Sequence, residues 1–240
     1  TGCPLRCAFC QNSEISGESI HGKDFTVEEF IETIKKLEAM GAHNINLVTP
    51  THFASQIAEA LRIYKPRVPV VYNCGGYESV ETLRMLEGLV DIYLPDFKYL
   101  NTDHAKKYSM AEDYPEVAKA ALAEMVRQTR EPTFDECGMM KRGVIVRHLL
   151  LPGCLADGKR VVKYLHETYG NRIYMSLMSQ YTPLESLDAV KYPELNRKVP
   201  EYAYEKLVDY AISLGVMQAF IQEGDTAKES FIPPFTLEGV

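Results

Sequence analysis

The sequence lacks an excess of positive charge. Its 240 residues carry 26 Lys and Arg against 33 Asp and Glu, which gives a formal net charge of −7 at pH 7. A surface that binds nucleic acid needs clustered Lys and Arg, because it must neutralise phosphates. The composition therefore predicts no nucleic-acid partner.

Long apolar runs are also missing. No uninterrupted apolar stretch reaches the roughly 20 residues with which a helix crosses a bilayer, so we expect no membrane partner. Six cysteines in a chain of this length do not make a disulfide framework, and three of them lie close together. This pattern predicts metal binding in a reducing compartment, and we expect a cytoplasmic protein.

A glycine-rich phosphate loop after a strand is absent too, which argues against a dinucleotide-binding fold. Instead, β-rich runs alternate with amphipathic helical runs, the first of which begins at a capping box of Thr26 and Glu29. Six strands are predicted, at residues 45–48, 69–72, 90–94, 144–151, 173–178 and 216–221.

This alternation favours right-handed βαβ units and a parallel sheet. The predicted fold class is α/β, a partial (β/α)6 TIM-like barrel with parallel strands. We expect a single domain, with a metal-binding loop at residues 1–12, the barrel at 26–221 and a C-terminal tail at 222–240.

Three cysteines on one short segment are the most informative feature that is present. Cys3, Cys7 and Cys10 follow C-x3-C-x2-C spacing, with Phe9 just before the third. Iron–sulfur cubes are normally held by four cysteines, so three would leave one iron open to a chelating small molecule. The other cysteines are widely spaced and give little support for a second cluster.

A structural zinc loop is the alternative interpretation of this trio. Structural zinc takes four ligands, usually supplied as two pairs of Cys or His residues. The next cysteine, Cys74, lies far downstream, but a fourth ligand such as His21 or His52 stays open.

Polar residues follow the predicted strands, where the active sites of (β/α) barrels lie. They are Thr49, Thr51, Asn73, Asp96, Lys98 and Gln180. Asp96 and Lys98 share strand parity and so point to the same side of the sheet, which would suit a zwitterionic ligand. A surface ion pair is the alternative.

The cysteine spacing is the signature of the radical S-adenosylmethionine (SAM) enzymes, and the chain resembles that superfamily. Over residues 2–180 it resembles the glycyl-radical activating enzymes of the pyruvate formate-lyase type. The resemblance rests on the trio followed by Gln-Asn, the Asp-Phe-Lys run 96–98 and the strand 146–153. It implies a [4Fe–4S] cluster whose open iron is chelated by SAM, and reductive cleavage of SAM to a 5′-deoxyadenosyl radical.

The same resemblance implies roles for single residues. Cys3, Cys7 and Cys10 match the cluster ligands, and Phe9 matches an aromatic residue beside adenine. The further positions that match SAM contacts are Asn73, Asp96, Phe97, Lys98 and Arg147.

Two of the implied positions carry alternatives. Arg147 could instead form an ion pair with Asp96 or Glu223. Relatives place a His near SAM on their sixth strand. The matching stretch here, which follows the predicted strand 173–178, reads Ser179-Gln180-Tyr181, and either Gln180 or Tyr181 could replace that His.

The chain departs from the resembled pattern after its first predicted strand. The family usually carries Gly-Gly-Glu there to meet the amino group of SAM, whereas this chain has Thr49-Pro50-Thr51-His52. Threonine hydroxyls can accept from an ammonium, so we expect Thr49 and Thr51 at the SAM site. The resemblance also implies a strand before the cysteine loop, and we expect the sequence to begin after that strand.

The resemblance implies an enzyme that abstracts hydrogen from a glycine Cα of a partner protein, with flavodoxin or ferredoxin as electron donor. Hydrogen abstraction needs no general base or nucleophile, and no Ser-His-Asp or activated-cysteine pattern is present, so no catalytic residue is predicted. A radical SAM enzyme acting on a metabolite and a non-catalytic metal-binding scaffold are the alternatives.

Overall fold

The computed structural model of the protein describes residues 2–16 and 22–222. Its strands are β1 (Ile45–Val48), β2 (Val70–Cys74), β3 (Ile92–Pro95), β4 (Thr133–Phe134), β5 (Met140–Leu149), β6 (Tyr174–Met178) and β7 (Ala219–Ile221). Its helices are α1 (Ser13–Ser16), α2 (Val27–Ala39), α3 (Ala54–Ile63), α4 (Val80–Met85), α5 (Thr102–Ser109), α6 (Tyr114–Thr129), α7 (Leu155–Tyr169) and α8 (Glu201–Ser213).

Six strands pair side by side in the order β1-β2-β3-β5-β6-β7. Every pair of neighbours is parallel. Over the described part of the chain β1 and β7 form the two edges, so the sheet is an open, partial barrel. The predicted α/β class with parallel strands is confirmed.

The fourth predicted strand, at residues 144–151, begins earlier in the structure, where it is β5. It extends back to Met140, because its first residues pair antiparallel with β4 in a hairpin. The last strand is shorter than predicted and covers Ala219–Ile221. Of the predicted C-terminal tail, only Gln222 falls within the described residues.

Local sequence signals explain how α2 and α5 begin. The predicted capping box is present in α2, where Glu29 N donates to Thr26 Oγ1 at 3.2 Å and Thr26 N donates to Glu29 Oε2 at 2.9 Å. Helix α5, which the sequence analysis did not identify, is capped by Asn101, whose Oδ1 accepts from Asp103 N at 2.9 Å.

Helix α6 shows how the helical layer covers the sheet. Its Leu122 and Met125 are buried against the core, and each such side chain stabilises the fold by about 2 kcal/mol. Gln128 satisfies two buried polar groups, since its Oε1 accepts from the Tyr93 hydroxyl at 2.6 Å and its Nε2 donates to Leu83 O at 2.9 Å. The Tyr93 hydroxyl and the Leu83 carbonyl are therefore buried with a hydrogen-bond partner.

None of the helices in residues 2–16 and 22–222 combines the length and the apolar character needed to cross a membrane.

Candidate active site

The ends of β3 and β5 bring two charged side chains together. Beyond β3, Asp96 continues the parallel pairing as a bridge to Arg147 of β5. Phe97 N donates to Arg147 O at 2.8 Å, and Asp96 N donates to Cys74 O of β2 at 2.9 Å. Backbone pairing therefore fixes Asp96 between two neighbouring strands.

The carboxylate of Asp96 binds two cations. Lys98 Nζ lies 2.6 Å from Oδ2, and Arg147 Nη2 lies 2.8 Å from Oδ1. The alternative interpretation of Arg147 as the ion-pair partner of Asp96 is confirmed, while Glu223 lies outside the described residues. One carboxylate and two cations give the triad itself a net positive charge.

The pKa values of this triad follow from burial and mutual attraction. Burial acts to raise the pKa of Asp96, but Arg147 and Lys98 outweigh it and hold that pKa below its usual value. Burial acts to lower the pKa of Lys98, but Asp96 outweighs it, so Lys98 stays charged. Arg147 Nε is buried and, among the described residues, has no hydrogen-bond partner.

The cysteine loop lies against the end of α5. Ala8 N donates to Tyr108 O at 2.8 Å, and Arg6 N donates to Ser109 O at 3.3 Å. These bonds satisfy carbonyls at the helix C-terminus, which have no partner within the helix. The loop backbone is thereby fixed around Cys7.

The three thiols of the loop are free and half-buried. Cys7 Sγ lies 3.1 Å from Ser109 Oγ, and Cys10 Sγ lies 3.3 Å from Ser16 Oγ. Burial raises the pKa of Cys3 and of Cys7, and Lys98 acts in the opposite direction on both. Three free thiols on one short loop supply the type of ligand that an iron–sulfur cluster needs, because metal binding displaces the thiol protons.

A single metal ion needs its ligand side chains closer together than a cluster does. In the described ranges, no group of three His, Cys, Asp or Glu side chains is gathered closely enough to hold one ion. Cys3, Cys7 and Cys10 would hold a cluster together rather than a single ion. Of the two histidines considered as zinc ligands, His21 is not among the described residues. His52 borders the loop, since a Cβ on Gly2 would lie 3.0 Å from its ring.

Phe9 joins the cysteine loop to the charged triad. Its buried ring has Lys98 Nζ 5.7 Å from the ring centroid, a cation–π contact. Phe97 takes the other direction and packs against Tyr164 of α7, with centroids 5.5 Å apart. The side chain of Phe97 therefore lies in the helical layer, on the face opposite to Asp96 and Lys98.

The ends of β1 and β2 lie beside each other. Thr49 N donates to Asn73 O at 2.8 Å, and both residues are half-buried. Thr49 has a φ of 50°, a left-handed conformation that turns the chain into the 3₁₀ turn Pro50–Phe53. Thr51, in that turn, donates its hydroxyl to Glu78 Oε1 at 2.9 Å.

Glu78 is a candidate that the sequence analysis missed. It is 1% exposed, and within the described chain its Oε2 has no hydrogen-bond partner. Burial raises the pKa of Glu78, although the neighbouring Cys74 thiol and the Thr51 hydroxyl act in the opposite direction. The signal that could have found it is the run Gly75-Gly76-Tyr77-Glu78 directly after β2.

Gly76 explains how Glu78 reaches this position. Its φ is +77°, and a Cβ there would lie 2.0 Å from the carbonyl oxygen of Asp96. Only glycine allows this approach and this conformation together. The turn carries the chain back over the end of β3, so that Glu78 is buried beside Thr51.

The side chains of Gln180 and Tyr181 have different surroundings in the structure. Tyr181 is buried, and its hydroxyl is occupied by a hydrogen bond that it donates to Leu195 O at 2.6 Å. Gln180 is half-buried, and its Oε1 accepts from Gln222 Nε2 at 2.8 Å. Gln180 is therefore the better placed of the two to face the strand edge.

Comparisons with known proteins show the family and the fold of this chain. Residues 1–153 match the family described as the Radical SAM superfamily. An uncharacterized protein of Methanocaldococcus jannaschii is 28% identical over 219 residues, which cover 88% of this chain and 60% of the relative. The chain thus spans less than two thirds of that relative's length.

Two solved structures show the same fold. The FeFe-hydrogenase maturase HydG from Carboxydothermus hydrogenoformans has a TM-score of 0.60 at 13% identity, over 93% of this chain and 52% of that one. SuiB of Streptococcus suis, bound to S-adenosylmethionine, has a TM-score of 0.61 at 11% identity, over 94% of this chain and 49% of that one. At such low identity the likeness concerns the fold alone.

Proposed function

Because the chain belongs to the radical SAM superfamily, we propose that it is an activating enzyme that takes hydrogen from a glycine Cα of a partner protein. Its cofactors are a [4Fe–4S] cluster and SAM. When bound, the reduced cluster supplies the electron that cleaves SAM and so provides a carbon radical able to abstract hydrogen. The partner, the glycine and the electron donor, a flavodoxin or ferredoxin, belong to the proposal.

One observation carries the proposal. The cysteine loop and the charged triad meet at the same strand edge, where Lys98 contacts both Asp96 and the ring of Phe9. A cluster on Cys3, Cys7 and Cys10 would therefore lie beside the two cations of the triad, Lys98 and Arg147. This is the setting that an amino-acid ligand with a carboxylate requires.

The proposed contacts of the methionyl part of SAM follow from charge. Lys98 and Arg147 face its carboxylate, and Asp96 holds both cations in place. The unpartnered Oε2 of Glu78 faces its ammonium. Glu78 thereby takes the part of the Gly-Gly-Glu carboxylate that the sequence lacks.

The remaining proposed contacts lie around this core. Phe9 supplies an apolar surface for adenine, and Thr49, Thr51 and Asn73 supply polar groups at the ends of β1 and β2. Gln180 completes the edge from the end of β6. Phe97 contributes through its backbone, because its side chain packs on Tyr164.

Anaerobic reconstitution with iron and sulfide tests the enzyme proposal. We expect roughly four iron atoms per chain, and cleavage of SAM to methionine and 5′-deoxyadenosine under reductant. Cys7→Ala should lose the cluster and the cleavage, whereas Cys137→Ala, at an exposed cysteine, should keep both. A wild-type chain that binds no iron or never cleaves SAM would favour the non-catalytic scaffold.

Incubation with candidate glycyl-radical proteins tests the substrate. A stable glycyl radical in the electron paramagnetic resonance (EPR) spectrum supports the activating enzyme. Cleavage of SAM coupled to turnover of a metabolite, with no protein radical, supports the small-molecule alternative instead.

A further inference from the structure

One side-chain contact of the cysteine loop is made by a hydroxyl far away in the sequence. Cys7 Sγ lies 3.1 Å from Ser109 Oγ, and the two residues are 102 positions apart. The Ser109 hydroxyl lies in turn 3.0 Å from the hydroxyl of Tyr99. Ser109 and Tyr99 are each 1% exposed, so water does not replace these contacts.

The direction of both hydrogen bonds follows from counting protons. A sulfur bound to iron is a thiolate and has no proton, so it can only accept. Ser109 has one hydroxyl proton and must therefore donate it to Cys7. The oxygen of Ser109 is then free to accept, and the hydroxyl of Tyr99 donates to it. Burial raises the pKa of Tyr99 well above its usual value, so Tyr99 keeps its proton.

We propose that Ser109 is a positioning residue that donates a hydrogen bond to the cluster ligand Cys7, and that Tyr99 orients it, so that the pair sets the reduction potential of the cluster. This inference rests on Cys7 being a ligand, as proposed above. Hydrogen bonds to the sulfurs are one of the factors that set the potential of iron–sulfur clusters. A donor stabilises the reduced cluster more than the oxidised one, because the reduced cluster carries more negative charge on sulfur.

Backbone hydrogen bonds hold Cys7 in place beside Ser109. The same helix end accepts two backbone bonds from the loop, from Arg6 N to Ser109 O and from Ala8 N to Tyr108 O. The two bonds are made by the residues on either side of Cys7, so they fix the backbone that carries its sulfur next to the Ser109 hydroxyl. By contrast, Cys10 Sγ lies 3.3 Å from Ser16 Oγ, and Ser16 is only half-buried.

An EPR-monitored redox titration of the reconstituted protein tests this inference. We expect Ser109→Ala to lower the midpoint potential, with an effect of about tenfold on the reduction equilibrium, or about 59 mV for a one-electron couple. Ser109→Thr keeps a hydroxyl and should stay near wild type. Tyr99→Phe should shift the potential less than Ser109→Ala, because Ser109 still donates.

Two further variants separate tuning from structural damage. Ser109→Ala leaves the hydroxyl of Tyr99 buried without a partner, so the double variant Tyr99→Phe/Ser109→Ala removes that penalty and should keep the lowered potential. Ser213→Ala, at the exposed end of α8, is the matched control and should leave the potential unchanged. A wild-type midpoint in the double variant would overturn the inference. Failure of the wild-type chain to bind iron would instead overturn the proposed function.

Discussion

The guanidinium of Arg147 binds the carboxylate of Asp96 across two neighbouring strands, with Nη2 2.8 Å from Oδ1. The other oxygen of the same carboxylate binds Lys98, so one anion holds two cations at the strand edge. The side chains of all three are only 17–26% exposed. Charges that are shielded to this extent stabilise the fold only as long as they are paired.

Asp96→Asn should therefore destabilise the protein, because it leaves Lys98 and Arg147 facing each other without an anion. We expect the free energy of unfolding to fall by about 3 kcal/mol, measured by urea denaturation. Asp113→Asn is the matched control, since Asp113 is exposed and Asn keeps the oxygen that accepts from Tyr77. It should change stability by less than about 0.5 kcal/mol. Equal losses in the two variants would contradict a stabilising triad.

Much of this edge could be predicted from the sequence. The alternation of strands and helices places residues such as Asp96 at the C-terminal edge of a parallel sheet, and strand parity puts Lys98 on the same side. The resemblance assigns Phe97 to SAM as well. Strand parity, however, places its side chain on the face opposite to Asp96 and Lys98, where the structure has it. These rules work because they depend on local geometry alone.

Contacts between distant segments could not be predicted in this way. Glu78 lies beyond a turn whose path depends on the close approach of Gly76 to the carbonyl of Asp96. Ser109 meets Cys7 only because α5, which the sequence analysis did not identify, ends beside the cysteine loop. The glycine pair before Glu78 signals a turn after β2, but which groups Glu78 and Ser109 contact is set by tertiary packing.

Gly76→Ala should be among the most damaging single substitutions in the chain. Its Cβ would lie 2.0 Å from a backbone oxygen, and the φ of +77° is unfavourable for alanine as well. We expect a loss of more than about 4 kcal/mol in the free energy of unfolding, or no folded protein.

Gly88→Ala separates the steric clash from backbone strain. Gly88 has a φ of +79°, but nothing lies within 4 Å of its added Cβ. We expect this variant to lose only about 1 kcal/mol, the cost of the left-handed conformation. Similar denaturation midpoints for the two alanine variants would show that the contact with Asp96 is not decisive.

The stability contributed by Glu124 should depend on pH. Arg127 is the main reason why the pKa of Glu124 is lowered to about 2, from about 4.3 in an unfolded chain. A lowered pKa means that the ionised carboxylate stabilises the fold fully above pH of about 4.3, and that this contribution is lost as the pH falls towards 2.

Urea denaturation of the iron-free wild type and of Glu124→Gln, between pH 7 and 2.5, measures this effect. Wild type should be the more stable at pH 7, and the difference should shrink as the pH falls. Glu116→Gln, at an exposed position on the same helix, should change stability little at pH 7. A difference between wild type and Glu124→Gln that grows on acidification would contradict the assigned cause.

Glu78→Gln should weaken SAM binding with little effect on the fold. Glutamine has nearly the same shape and still accepts from Thr51, but it replaces the unpartnered Oε2 by an amide and removes the charge that would meet an ammonium. Hydrogen bonds to charged groups contribute about 1.5–3 kcal/mol, so we expect SAM affinity to fall at least about tenfold in anaerobic equilibrium binding to the cluster-loaded protein. Glu81→Gln, three residues away on the exposed face of α4, should bind SAM like wild type. Unchanged affinity in Glu78→Gln, with iron content equal to wild type, would mean that another group holds the ammonium, and Thr49 would be the next position to test.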